Sequence, residues 1–346
     1  MQWKRTATLE EHPAKGGIRG SLSLEVEKNL LPLTLSGALL KSRLAGRSSN
    51  INVRSLLMRY AYFPGCSLSS SGYDYHLSLK LVAKALGIDL VEVRDWVCCG
   101  ASSAHATSHL LSVALPVLNL SHAEQDGFQK LIAPCLACLS RFKAANVELE
   151  HDSDLRSKIH QVFDYKYQGK VKVYHPLEVF LKMGLEKIRE RARKKLSGLR
   201  IACYYGCVLT RPPKIAQFDN VEDPQSMDSI VKALGATPIE WSFKTECCGV
   251  SMTLTCSDIV LKLSNDILHE AKESGANVIA VACPLCQANL DGRQRQIEEE
   301  YKTRYRIPIL YITQLMGLAF GAFPKEVGIH KLITSPREVL GSIGLM

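Results

Sequence analysis

Cys247-Cys248-Gly249 and, after an interval of 34 residues, Cys283-Pro284-Leu285-Cys286 decide how this chain is read. A further cysteine, Cys207, precedes them behind Gly206, with 39 residues between it and Cys247. The same series stands earlier in the chain: Pro64-Gly65-Cys66, then Cys98-Cys99-Gly100, then Cys135-Leu136-Ala137-Cys138. Its intervals are 31 residues before Cys98 and 35 before Cys135. Ten of the 12 cysteines therefore fall into one five-cysteine pattern used twice. A lone Cys-x-x-Cys carries little information, whereas a doubled series in fixed order is specific.

The surrounding sequence repeats with the cysteines. Tyr60-Ala61-Tyr62-Phe63 reads as a strand broken by Pro64-Gly65, and Arg200 to Tyr205 reads the same way before Gly206-Cys207. Apolar residues at Tyr75, Leu79, Val82 and Leu86 have helical spacing, and Gly87 ends the run. The segment 226–234 ends likewise at Gly235. Ile88 to Val93 alternates as a strand, and Lys130 to Ala133 and Asn277 to Ala282 are buried strands ending at Cys135 and Cys283. Helices are predicted over 108–123 and 258–274. Val173 to Val179 and Ile309 to Leu315 form a matching strand and helix at the end of each copy. Every cysteine group thus follows a strand end, where parallel α/β sheets collect their ligands. The predicted fold is α/β, a tandem duplication with short parallel sheets flanked by helices and the copies related by a pseudo-two-fold.

The expected domains are a first unit at 58–186, a basic linker at 187–199, a second unit at 200–323 and a tail at 324–346. Residues 1–57 read differently, with no cysteine and nine Lys/Arg against four Glu. They are expected to be a disordered or misannotated leader, with Met58 a natural start, since four glutamates count against a transit peptide. The basic run after Lys187 reads as a solvated helical face.

Composition narrows the class. Apolar residues make up 46% and charged residues 22% of the 346 positions, as in an ordinary globular protein. The net charge of +9 owes much to the leader, and no basic stripe with interleaved aromatics marks a nucleic-acid surface. Residues 30–40 are apolar but too short and broken to span a bilayer. Disulfide-dense scaffolds are small and secreted, so these cysteines read as metal ligands in a reducing cytoplasm. A structural zinc takes four ligands and would leave a fifth thiolate beside it, and adjacent cysteines crowd one tetrahedral ion. A polynuclear cluster can use them on different irons, and the compact runs of ferredoxin cubanes are absent. An unusual iron–sulfur centre in each copy fits the spacing better than zinc. No flavin or nucleotide fingerprint is present, so this chain is expected to hold no flavin or NAD.

The series Cys, Cys-Cys-Gly, Cys-x-x-Cys resembles the cysteine-rich CCG domain, and two in tandem resemble the B subunit of heterodisulfide reductase, over about residues 59–320. The interval of 34 is one short of the usual. The resemblance implies that each motif holds a non-cubane [4Fe-4S] centre through all five cysteines, with a disulfide cleaved between the two. The first centre would use Cys66, Cys98, Cys99, Cys135 and Cys138; the second would use Cys207, Cys247, Cys248, Cys283 and Cys286. It further implies a sulfur-group oxidoreductase acting on a small disulfide or thiol, in a cytoplasmic complex with a ferredoxin-like iron–sulfur subunit and a flavin-containing subunit. CCG domains also occur in electron-relay subunits of quinone- or fumarate-linked dehydrogenases of the succinate, lactate or glycolate type. A zinc-stapled assembly module is the third class open.

Few other residues invite a role. Cys203 and Cys256 align with Tyr62 and Thr107 and read as buried small side chains. His105 could donate a proton near the first centre, though Leu254 matches it in the second copy. His175, at a strand end, reads as a hydrogen-bonded loop histidine. Arg211, just beyond Cys207, could bind an anionic substrate or cap a loop.

Overall fold

The computed structural model describes residues 58–101 and 104–346, with the His105 side chain also left out; the leader reading for 1–57 lies outside the described residues. Eight strands form two sheets of four. The first sheet comprises β1 (Met58–Tyr62), β2 (Ile88–Glu92), β3 (Lys130–Ile132) and β4 (Lys172–Tyr174), in the order β2-β1-β3-β4. The second comprises β5 (Arg200–Tyr204), β6 (Thr237–Ile239), β7 (Val278–Val281) and β8 (Ile309–Tyr311), in the order β6-β5-β7-β8. Every pairing is parallel. The α/β fold with two parallel sheets is thus as the sequence predicts.

Parallel strands are buried on both faces and read as continuous apolar runs. Val278–Val281 is buried at every position. In each sheet the chain leaves the first strand to one side and returns to the other. The first and third strands therefore lie side by side at a topological switch point, with Ile132 opposite Tyr62 and Val281 opposite Tyr204. The crevice above their carboxyl ends is where such sheets bind ligands.

The helices Tyr73–Ala85 and His109–Gln125 match the predicted ones, as do Ser226–Ala233 and Ser257–Glu273. The helices Leu136–His151 and Pro284–Gly292, which begin inside each Cys-x-x-Cys, were not among the predicted ones, and only the second carries a start signal, Pro284 at its first position. They start at Cys135 and Cys283, neither of which makes a side-chain cap bond, so the usual Ser or Asp signal is missing.

The two copies dock reciprocally. Helix Tyr73–Ala85 of the first packs on helix Ile312–Ala319 of the second, and helix Ser226–Ala233 of the second packs on helix Pro176–Met183 of the first. Ser78 Oγ and Thr313 Oγ1 lie 2.7 Å apart in the former contact, and Gln314 Nε2 donates to Asp74 Oδ2 at 3.2 Å. The exchange of equivalent helices is what a two-fold relation produces.

The basic run is anchored to the second copy. Helix Leu185–Arg191 opens it, Ile188, Leu196 and Leu199 are buried, and Lys194 and Leu196 donate backbone N–H bonds to Ala319 and Leu234. The tail also packs: Val327, Leu340 and Leu345 are buried, and the Asp291 carboxylate accepts the N–H groups of Ile333 and Thr334, each at 2.8 Å.

Candidate functional site

The strand ends deliver the cysteines as the spacing predicts, and the turn before each first cysteine requires glycine. Gly65 and Gly206 have φ of +61° and +70°. A Cβ on Gly206 would lie 3.1 Å from Cys286 Sγ, and one on Gly65 would lie 3.4 Å from Cys138 Sγ. The turn therefore passes close to the last cysteine of its own set. Within the first set, Cys99 Sγ and Cys138 Sγ stand 3.0 Å apart; the matching pair, Cys248 and Cys286, stands 3.8 Å apart. The glycine after each Cys-Cys pair donates its N–H back to the first sulfur, Gly100 to Cys98 at 3.4 Å and Gly249 to Cys247 at 3.3 Å. The Cys207 thiol, aided by that Gly249 N–H, outweighs burial and pulls Cys247 down to about 6.

All ten predicted ligand cysteines are free thiols in two groups, and exposure sorts them. Cys99, Cys135, Cys138, Cys248, Cys283 and Cys286 are buried; Cys207 and Cys247 are half-buried; Cys66 and Cys98 are exposed. The buried ends of the two groups meet. The Cys135 and Cys283 thiols lie close enough across the boundary between the copies to shift each other's titration. Cys283 is held well below the ordinary thiol value by the Cys135 and Cys286 thiols, then by the backbone N–H groups of Cys286 and Leu136. Leu136 belongs to the first copy, so groups of both copies lower this one thiol. Cys138 pulls Cys135 down, but Cys283 and burial prevail and push it up to about 12. The position matching Leu136 is Pro284, which has no N–H to return to Cys135.

Among the described residues, no three His, Cys, Asp or Glu side chains converge to hold one metal ion. The closest sulfurs are one pair in each set, Cys99 with Cys138 and Cys248 with Cys286, and thiolates are the donors that zinc and iron–sulfur clusters take.

His175 lies on the boundary. It is fully buried, and its Nε2 stands 3.2 Å from the Pro134 carbonyl and 3.1 Å from the Ala282 carbonyl. Its Nδ1 accepts the Leu177 N–H at 3.3 Å, and burial holds the ring down at about 3, so it is neutral. Tyr75, which the sequence reading took only as a core position, also donates its hydroxyl to the Ala282 carbonyl, at 3.2 Å. No local signal marks Tyr75, because its partner lies 207 residues away.

The other candidates stand apart. His105 is in the short helix Ala104–Thr107, and its side chain lies outside the described residues. Arg211 is ion-paired with Glu222 at 2.8 Å on the surface. Cys203 is buried in β5 beside Asp228, as expected. Cys256 is only half-buried, because it stands in the turn that precedes helix Ser257–Glu273 rather than in a strand. A network beneath the second group passed unnoticed in the sequence. Lys244 Nζ, buried, lies 3.3 Å from Asp228 Oδ1 and 2.8 Å from Asp223 Oδ1, while Tyr205 donates to Asp228 Oδ2 at 2.5 Å.

The chain is similar to several known proteins. The chain is 34% identical over 282 residues to the 8-methylmenaquinol:fumarate reductase membrane anchor subunit of Wolinella succinogenes, covering 80% of this chain and 98% of that protein. It is 28% identical to the B subunit of the ferredoxin/F420H2-dependent CoB-CoM heterodisulfide reductase of Methanosarcina acetivorans, over 83% of this chain and 97% of the relative. A protein of Archaeoglobus profundus that is itself named as like the heterodisulfide reductase B subunit is 27% identical over 82% of this chain and 96% of its own length. Among solved structures, a hypothetical protein from Helicobacter pylori shares the fold with a TM-score of 0.65 at 12% identity, over 82% of this chain and 56% of that one. No helix among the described residues is long and apolar enough to cross a membrane. The model of the cysteine-rich CCG domain matches residues 60–143 and 201–291, the segments that carry the two sets of thiols. The chain belongs to the cysteine-rich CCG domain family and is a relative of the heterodisulfide reductase B subunit.

Proposed function

We propose that this chain is the iron–sulfur subunit of a multi-subunit reductase and carries two non-cubane [4Fe-4S] centres that reduce or form a disulfide. Cys66, Cys98, Cys99, Cys135 and Cys138 hold the first; Cys207, Cys247, Cys248, Cys283 and Cys286 hold the second. The observation that carries this reading is that His175 reaches the carbonyls just before Cys135 and Cys283, so one cysteine of each set stands at the same boundary between the copies. Bound there, such centres supply single electrons, and a pair of them matches the two electrons that a disulfide takes up with two protons to give two thiols. The protein's own part is to hold and shield. Burial of six thiols keeps water from the junction, whereas exposed Cys66 and Cys98 leave one side open to a substrate or a partner protein. Arg211 stands near Cys207 as the candidate contact for an anionic substrate, once released from Glu222. Electrons are exchanged with partner subunits, one ferredoxin-like and one flavin-containing, in the cytoplasm.

The anaerobically purified chain is expected to contain about eight iron, four for each five-cysteine set. About two zinc with negligible iron and sulfide would overturn the proposal. Reduced viologen and a small disulfide should sustain turnover, lost in both Cys99→Ala and Cys248→Ala.

The 34% identity to a fumarate reductase component favours a second reading, an electron-relay subunit of a quinone- or fumarate-linked enzyme. An iron-loaded chain that passes electrons but turns over no disulfide would establish the relay instead.

A further inference from the structure

We propose that His175 is a positioning residue that ties the two Cys-x-x-Cys loops together and sets the geometry of both centres. The inference rests on reading the two thiol sets as cluster ligands. Its imidazole reaches the carbonyls of Pro134 and Ala282, one from each copy. Each carbonyl belongs to the residue immediately before a motif cysteine, Cys135 or Cys283. Both carbonyls only accept, so Nε2 carries the hydrogen and shares it between them, and Nδ1 accepts from Leu177. One tautomer satisfies all three partners.

The ring is itself held in place. Glu178 Oε1 accepts the His175 backbone N–H at 2.9 Å and the Lys143 ammonium at 3.0 Å, and Lys143 also donates to the Ala216 carbonyl of the second copy at 2.6 Å. Duplication does not explain the arrangement. The equivalent position, at the end of β8 and the start of helix Ile312–Ala319, is Tyr311, whose buried hydroxyl has no hydrogen-bond partner among the described residues. One histidine thus serves both copies, where the pseudo-two-fold would provide two.

The two loops depend on it unequally. The Ala282 carbonyl also receives the Tyr75 hydroxyl, whereas His175 supplies the bond to the Pro134 carbonyl. A buried carbonyl left without its donor pulls the backbone toward another partner. Loss of the imidazole N–H therefore displaces the Cys135 loop more than the Cys283 loop. A role confined to stability would lower the unfolding midpoint without separating the two centres.

The test uses the full chain, prepared anaerobically with its clusters. His175→Phe keeps the ring and removes the donor; His175→Gln places an amide N–H where Nε2 stood. Iron content, the electron paramagnetic resonance signal of each centre and its midpoint potential are measured for both variants. His175→Phe should shift the signal and potential of the first centre more than those of the second, and His175→Gln should restore both. Tyr75→Phe, which removes only the other donor to Ala282, should shift the second centre more. If His175→Phe yields no soluble protein, His175→Asn, too short to reach the carbonyls, is compared with His175→Gln on the same readouts. Unshifted spectra and potentials in the donor-free variant, equal shifts of both centres, or no difference between the Gln and donor-free variants would each overturn the proposal. A wild-type chain without iron and sulfide would instead overturn the cluster reading on which it rests.

Discussion

Tyr75 of the first copy lies flat on Tyr311 of the second, with ring centroids 4.3 Å apart and planes 9° from parallel. Both rings are fully buried, yet among the described residues only the Tyr75 hydroxyl is bonded, to the Ala282 carbonyl. The stack is one of the seams that join the halves next to the paired cysteines.

This difference makes the two tyrosines unequal to the same change. Tyr311→Phe keeps the stack and deletes an unpartnered buried hydroxyl, so stability should rise by about 1 kcal/mol. Tyr75→Phe deletes a made bond and leaves a carbonyl short of a donor, so stability should fall by about 1 kcal/mol. Chemical denaturation of both variants checks the pair, and equal effects of one sign would contradict it.

Asp74 gives the fold a pH dependence. Burial raises its carboxyl to about 6, with Asp291 also raising it against its own and Tyr75's backbone N–H groups and Lys331. The folded state therefore binds a proton more tightly than the unfolded state, whose carboxyl titrates near the reference 3.8. The associated stability is fully present below about 3.8 and is lost as pH rises through about 6, by up to about 3 kcal/mol. Asp74→Asn should flatten this part of the stability profile between pH 4 and 7, measured by denaturation across that range.

Lys244 is the counter-charge to fully buried Asp228, and its carbonyl accepts the N–H groups of Tyr205 and Gly206 at 2.8 and 3.2 Å, just before Cys207. Lys244→Met leaves a buried carboxylate uncompensated and should destabilise the chain by about 3–5 kcal/mol. Adding Asp228→Leu should recover much of that loss. Thermal unfolding of the single and double variants decides it, and an equally unstable double variant would refute the account.

Gly206→Ala and Gly275→Ala separate backbone strain from crowding of the site. Both glycines have positive φ, +70° and +82°, so alanine costs about 1–2 kcal/mol at either. A Cβ at Gly275 meets nothing within 4 Å, whereas at Gly206 it presses on Cys286 Sγ at 3.1 Å. Only Gly206→Ala should lower the iron bound per chain, by up to half. Equal iron in the two variants would show that the close turn is incidental to the site.

The doubled cysteine series could be read directly because its information is local. An apolar strand runs into each of these cysteines, with Pro64-Gly65, Pro134 and Gly206 as breaks before three of them, so Cys66, Cys135, Cys207 and Cys283 could be placed at strand ends without knowing the sheets. The basic run after Lys187 was harder. Its charges suggested a solvated face, but Ile188, Leu196 and Leu199 between them are buried against the rest of the chain. Single apolar residues within a charged stretch have no periodicity to announce them.

The sequence by itself determined the family, the α/β class, the duplication and the cysteine series that occurs twice. Only the tertiary structure decided that one cysteine of each set stands at the boundary between the copies, and that one imidazole bridges the carbonyls before both cysteines. These contacts depend on how two separately formed sheets dock. His175 lies 41 residues from Pro134 and 107 from Ala282, and its bond to each exists only because reciprocal helix packing brings the two strand ends together. Local spacing carries the cysteines of a set; the relation between two such sets is a property of the packed interface.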